Sequence, residues 1–361
     1  MPPNSFALRV LICSLLLCAI GRGTQATTIT VINTNDSGAG SLRQALAVVN
    51  DGDTIDFDSA LNGQTITLTT AELLINKSIT VMGPGANLLT VARAENASNF
   101  RIFHVMPAHT VTIQGLTITR GFNHFGFVSG GGIYNDHSNV TVNSCILTDN
   151  SARGRGFFSG GAIGNDAGFS GSASLTINDS IIDGNNIDDG ITANVGGGIY
   201  NFALGGGTGT VTINNSTISN NRAYQGGGVY SDGSNNGHAV ITVTNSTFSS
   251  NAAEDGGGIV NNGIEAGDAT LIVANSTFSG NSATPNLGGA VLNVGDSGAN
   301  DGIVQLGDTI LKAGLSGANI YNDGGTIISH GYNISSDNGG GFLTGPGDQT
   351  NTDPLLGPAP E

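Results

Sequence analysis

Two sets of side chains in this sequence have the types and spacing to do chemistry. The first lies in segments that recur at one point of a repeat: GFNHFGFVS at 121–129, SARGRGFFS at 151–159, NIDDGITANV at 186–195, RAYQ at 222–225 and AAED at 252–255. Together they gather Phe122, His124, Phe125, Phe127, Phe157, Phe158, Arg222 and Tyr224, with Arg153, Arg155, Asp188 and Asp189 among them. Aromatic rings beside guanidinium and carboxylate groups offer flat apolar contact and charge-assisted hydrogen bonds, which a sugar chain lying in a groove would use. The plainer reading is a row of solvated loops whose phenylalanines pack on one another. If a reaction occurs there, Arg153 and Arg155 are the candidate bases and Asp188 and Asp189 the candidate carboxylates, for β-elimination or for glycoside hydrolysis. Besides these, Arg120 is the one other clustered cation. Only Arg222 and Lys312 follow Arg155, few for a long groove gripping a polyuronate.

The second set is a column of acids. Asp136, Asp166, Asp232 and Asp323 each sit three residues after an aligned apolar residue, with Phe202, Asn262 and Val294 at the intervening copies. Asp136 and Asp166 should lie on adjacent coils, about one strand spacing (~4.8 Å) apart. Two carboxylates that close either share a proton or hold a hard cation such as Ca²⁺. Solvated turn aspartates are the simpler expectation, and no other cofactor is implied. The six histidines (104, 109, 124, 137, 238 and 330) have no metal-ligand spacing and read as surface or turn residues. Cys145 aligns with Ser180, Ser216, Ser246 and Ser276, so it reads as a small buried residue rather than a nucleophile.

The elements that must position these residues form a repeat. GGGIYN at 130–135 recurs as GGAIGN at 160–165, GGGIYN at 196–201, GGGVYS at 226–231, GGGIVN at 256–261 and GGAVLN at 288–293. Between the copies lie VTVNSCILTDN at 140–150, LTINDSIIDGN at 175–185, VTINNSTISNN at 211–221, ITVTNSTFSSN at 241–251 and LIVANSTFSGN at 271–281. Each of these alternates apolar and polar residues around an Asn-rich corner, giving two short strands, and the glycine-led segment supplies a third. No such unit can bury its own apolar face, so copies must stack. The expected fold is all-β: a right-handed, single-stranded parallel β-helix (a solenoid) of roughly nine to ten coils, about 45 Å long at the usual strand spacing. Asn150, Asn185, Asn221, Asn251 and Asn281 should form a corner ladder, since Asn tolerates the left-handed conformation. Ser41-Leu42-Arg43-Gln44 is a capping box, and Leu42, Ala45, Leu46 and Val49 fall on one helical face, so a short N-terminal helix should close the open end of the core.

Residues 1–26 read as a secretory signal peptide, with Arg9 before the apolar run Val10–Ile20 and small residues at Thr24-Gln25-Ala26. The expected organisation is that leader, a cap over 27–60, the β-helix over 61–338 and a Gly/Pro-rich tail over 339–361. Removal of the leader takes away Arg9 and Arg22, leaving 9 Lys+Arg against 27 Asp+Glu, a formal charge of −18. Such a surface repels phosphate backbones, so nucleic acid is excluded as a partner. No apolar run beyond the leader is long enough to span a bilayer. Oligomeric state is left open.

The alternation of GGAI-like segments with Phe248–Asn251 and Phe278–Asn281 resembles the repeats of polymorphic outer-membrane proteins. Residues 33–57 are similar to the N-terminal segment called CSLREA, and 351–358 resembles the motif of choice-of-anchor Q proteins. The resemblance covers about 30–358 and implies an exported, β-helical, adhesin-like protein. The chain ends at Glu361 without a barrel or sorting signal, which leaves secretion open beside surface attachment. The expected function is therefore a non-catalytic, exported glycan-binding or adhesive module on the cell surface or secreted. The alternative is a polysaccharide lyase or glycoside hydrolase acting in the loop-lined groove.

Overall fold

The computed structural model describes residues 26–123, 129–152, 159–187, 194–285, 287–296 and 301–357. Each repeat supplies one strand to each of three parallel sheets, of eleven, ten and nine strands. The glycine-led segments (Ile133–Asp136, Ile163–Asp166, Ile199–Phe202 and onward) build the nine-stranded sheet. The next strand of each coil (Asn139–Asn143, Ser172–Asn178, Thr208–Asn214) joins the eleven-stranded sheet, and the third (Ile146–Thr148, Ile181–Asp183, Thr217–Ser219) joins the ten-stranded one. Parallel strands returning once per coil make this a right-handed parallel β-helix, with a coil number matching the repeat.

The interior is a set of columns. Ile133, Ile163, Ile199, Val229, Ile259 and Val291 stack in register, all fully buried, and Phe248 stacks on Phe278 with centroids 4.8 Å apart. Polar residues that enter the core do so as ladders. Each of Asn150, Asn185, Asn221 and Asn251 donates from Nδ2 to the next asparagine's Oδ1, at 3.1, 2.9, 3.0 and 2.9 Å. The ladder is as expected, but its conformational reason differs. The left-handed residues are the preceding ones (Asp149, Gly184, Asn220, Ser250 and Gly280), which make the bend and turn each ladder asparagine inward. A second ladder runs through Asn135, Asn165 and Asn201, and a third through Ser180, Ser216, Ser246 and Ser276. Cys145 heads this third row: its backbone N–H donates to Ser180 Oγ, it is 1% exposed, and burial pushes its thiol up to about 11.

Glycine is required where the coils turn most closely. A Cβ at Gly227 would sit 2.6 Å from the carbonyl oxygens of both Ala252 and Gly257. At the N-terminal end the helix Leu42–Val48 is capped by Ser41, whose Oγ accepts from Gln44 N–H while Gln44 Oε1 accepts from Gly40 N–H. It buries Leu42, Ala45, Leu46 and the adjoining Val49. Asp36 fastens it: its carboxylate accepts from Arg43 and from the backbone and hydroxyls of Thr69 and Thr70, and although burial opposes this, those donors hold it at about 2. At the far end Ser335 N–H donates to Gln349 O and Leu343 is buried in the core, so the segment after 338 packs on the last coil.

Outside the core, one face is unusually uniform. On the eleven-stranded sheet Thr28, Thr54, Thr80, Thr112, Thr141, Thr176, Thr212 and Thr242 pair in unbroken register across successive strands.

Candidate functional site

The outer face of the nine-stranded sheet carries two side-chain columns. One follows His104, Tyr134, Gly164, Tyr200 and Tyr230; the other follows Asp136, Asp166, Phe202 and Asp232. Inward residues alternate with outward ones along a strand, so the core residues Ile133 and Asn135 fix Tyr134 and Asp136 on this outer face. Toward the C-terminal end the columns are apolar and covered: Tyr200, Phe202, Tyr230, Val260 and Leu292 form a second buried cluster outside the coil wall. Toward the N-terminal end they become a partly exposed polar cluster.

That cluster joins four strands. Arg101 Nε lies 2.9 Å from Glu72 Oε2, and the guanidinium sits 4.4 Å from the centre of the Tyr134 ring. His104 Nδ1 is 3.1 Å from Glu72 Oε1, and its Nε2 is 3.7 Å from Asp136 Oδ2, a charge contact rather than a hydrogen bond. Tyr134 Oη donates to Asp166 Oδ2 at 2.6 Å, and Gly168 N–H donates to Asp166 Oδ1 at 3.0 Å. His137 Nδ1 bonds Asp136 Oδ1, and its Nε2 bonds Gly168 O. Three buried nitrogens of the cluster, Arg101 Nε and Nη1 and His104 Nε2, make no well-aligned hydrogen bond, although Nε and Nε2 face Glu72 and Asp136 as ion pairs.

Environment drives these groups apart. Burial dominates at Asp166 and raises its carboxyl despite the Tyr134 and Gly168 bonds. At Asp136 burial is outweighed by His104 and His137, and its carboxyl is lowered. Burial at Glu72 is likewise outweighed by His104 and Arg101. His104 and His137 are each raised, the adjoining carboxylates outweighing burial, and Tyr134 is pushed up by burial and by Asp166. Across the Asp136–Asp166 pair the two carboxyls are therefore shifted in opposite directions, Asp136 down and Asp166 up.

The two aspartates do come together as the repeat requires, but they are not solvated turn residues. Asp166 is 6% exposed and Asp232 is 5%, because the tyrosine column of the same face walls them in. One ligand atom each from Asp136, His137 and Asp166 lie within 4.8 Å of one another, a donor set that suits a cation in kind. Each is already engaged by Tyr134, Gly168 or the other partner, so a cation would have to displace those bonds. His104 and His137, read from sequence as surface or turn residues, belong to this cluster.

The loop candidates fare differently. His124, Phe125, Phe127, Arg153, Arg155, Phe157, Phe158, Asp188 and Asp189 lie outside the described residues. Phe122 pairs with Ser151 in a short strand, and the Arg93 guanidinium lies 5.8 Å from its ring centre. Arg120, the other cation weighed as a base, is 3.5 Å from Glu95. Arg222 and Tyr224 do converge, lining a shallow cavity of about 370 Å³ with Glu254, Pro285 and Ser316. The polar cluster has Glu72, Arg101 and His104 in coils that lack the glycine signature. Carrying the outward column back from Tyr134 by one repeat would have reached His104, but the next step back is Leu74, and Glu72 and Arg101 lie just before the strands of that column.

No family model matches the chain, and no curated protein matches it, so the resemblance to surface-protein repeats rests on its motifs alone. Among solved structures, the chain is similar to an alginate lyase from Paenibacillus sp. str. FPU-7. That likeness has a TM-score of 0.53 at 16% identity and covers 89% of this chain and 95% of that one. At this identity it is a likeness of fold. Among the described residues no helix is long and apolar enough to cross a membrane.

Proposed function

We propose that this chain is an exported enzyme that cleaves an acidic polysaccharide by β-elimination, with the cluster around Tyr134 as its site. The observation that carries the reading is Tyr134 held between the Arg101 guanidinium on its face and the Asp166 carboxylate that accepts from its hydroxyl. The alginate lyase on the same fold adds support. The expectation of a non-catalytic adhesive module has no comparable observation behind it.

Eliminating a uronate needs a cation for the sugar carboxylate, a base for the α-hydrogen and an acid for the leaving oxygen. Arg101 over the Tyr134 ring and His104 beside it are the cations nearest the phenol and suit the carboxylate, once they exchange part of their pairing with Glu72 for it. Asp166, more basic than an ordinary aspartate, takes the phenol proton as Tyr134 Oη removes the hydrogen beside the carboxyl. The new double bond forms as the glycosidic C–O bond breaks. Tyr134, now protonated again, passes that proton to the leaving oxygen, and Asp166 returns its own to Tyr134. Arg101 over the ring favours the transient phenolate.

A second reading, hydrolysis, is favoured by the opposite shifts of Asp136 and Asp166, which would serve as base and acid. One experiment separates them. The purified chain is incubated with a panel of uronate polysaccharides, following the ultraviolet absorbance of unsaturated product and new reducing ends together. Both signals rising, and both lost in Tyr134→Phe, supports elimination. Reducing ends alone mean hydrolysis, and neither signal from folded protein on any substrate overturns the enzymatic reading.

A further inference from the structure

The outer face of the eleven-stranded sheet plays no part in that site, yet it is the most regular surface of the molecule. The threonine column is flanked on both sides by polar rows: Asn139, Ser174 and Thr210 on one, Asn143, Asn178 and Asn214 on the other. From Thr110 to Ala274 these three rows contain no charged residue, on a chain of formal charge −16; charge returns only at their margins, with His238 and Asp268 in the next row and Asp56 beside Thr54. Solvent-facing strands ordinarily carry charges, lysine above all, which keep sheets soluble and apart.

The rows are also held still. Asn178 Nδ2 donates to Asn143 Oδ1 at 2.8 Å, Asn214 Nδ2 to Asn178 Oδ1 at 3.0 Å, and Ser174 Oγ to Asn139 Oδ1 at 2.7 Å. Threonine is stiff at χ1, and no register shift interrupts the sheet from its first strand through Asp268–Ala274. The result is one column of threonine hydroxyls and methyls about 34 Å long, at ~4.8 Å per strand, flanked ~6.6 Å to either side by rows made mostly of Asn, Ser and Thr.

We propose that this face binds ordered water, specifically the surface of an ice crystal. An ice plane presents a neutral, regular lattice of oxygens with repeats on the same few-ångström scale. A rigid array whose hydroxyls join that lattice and whose methyls sit between its waters fits it without reorganisation, whereas a charged side chain would orient water around itself. A crystalline polysaccharide is the other ordered surface with such repeats, but sugar faces are gripped by aromatic rings, and these three rows contain none.

The test is uptake of the full chain into a slowly grown ice shell, compared with an acidic globular protein that ice excludes. Wild type is expected in the ice, and Thr176→Lys/Thr212→Lys is expected to lose uptake about tenfold. Asn62→Lys, an exposed position off this face, should behave as wild type. Thr212→Tyr, favourable in strands but too bulky for the lattice, keeps the test decisive if the lysine pair unfolds. Exclusion of wild type from ice overturns the proposal. So does unchanged uptake of a folded face variant, or loss of uptake in Asn62→Lys. Retention on crystalline cellulose or chitin through the same threonines, without ice uptake, would assign the face to polysaccharide instead.

Discussion

Replacing Asn221 with alanine should destabilise the β-helix far more than the same change at Asn214, seven residues earlier in the same coil. Asn221 is fully buried and its side chain takes part in four hydrogen bonds: it accepts from the backbone and side chain of Asn185 and donates to Ile182 O and Asn251 Oδ1. A typical bond contributes about 1 kcal/mol net, and each partner left buried and unsatisfied adds about 1–3 kcal/mol, so a loss of at least about 4 kcal/mol is expected. Asn214 sits on the outer face with a side-chain hydrogen bond to Asn178, and that partner can turn to water, so about 0.5 kcal/mol is expected. Because a solenoid couples each coil chiefly to its neighbours, the damage should be local. Urea unfolding gives the difference in stability, and amide exchange over 182–251 gives its location. Equal effects at the two asparagines, or exchange speeding uniformly along the chain, would refute the view that the buried ladder stabilises the coils.

Other expectations concern the polar cluster and the ends. Tyr134→Phe should lower turnover by about 10²–10⁴ while the fold survives, because it removes the proposed acid and base but only one hydrogen bond; equal activity in steady-state assays would exclude that role. Asp36 is held at about 2, below its ordinary value. Its contribution to the N-terminal cap is therefore complete above pH ~4 and lost as pH falls toward 2, which exchange of amides 42–49 in acid should report. His104 is raised, so its contribution is complete below its ordinary value near 6.5 and fades as pH rises through the folded value; chemical shifts of its ring protons would reveal a folded value below 6.5 if the cluster is misread. Cys145→Ser should change stability by less than about 1 kcal/mol, since serine occupies the same row in the next four coils, and the native thiol should resist alkylation until the protein unfolds.

Much of the architecture is written in the sequence because repetition multiplies a weak signal. Five copies of an Asn-ended strand pair and six of a glycine-led strand fix the three sheets, the register and the buried ladders, since any shift would place asparagine against isoleucine along the whole column. The capping helix was legible from Ser41, Gln44 and four apolar residues, because a capping box is local chemistry. The acid column was legible as a spacing, yet its environment was not. Whether Asp166 faces water or a tyrosine depends on the outer wall of the coil, which the repeat does not encode. Glu72, Arg101 and His104 come from coils without the glycine signature, and only strand pairing carries them to Tyr134 and Asp136. Periodicity thus determined the fold, whose energy is a sum over equivalent contacts. The candidate site departs from that periodicity, so only the tertiary structure, by setting which unlike residues share a surface and how deeply each is buried, decided where chemistry could occur.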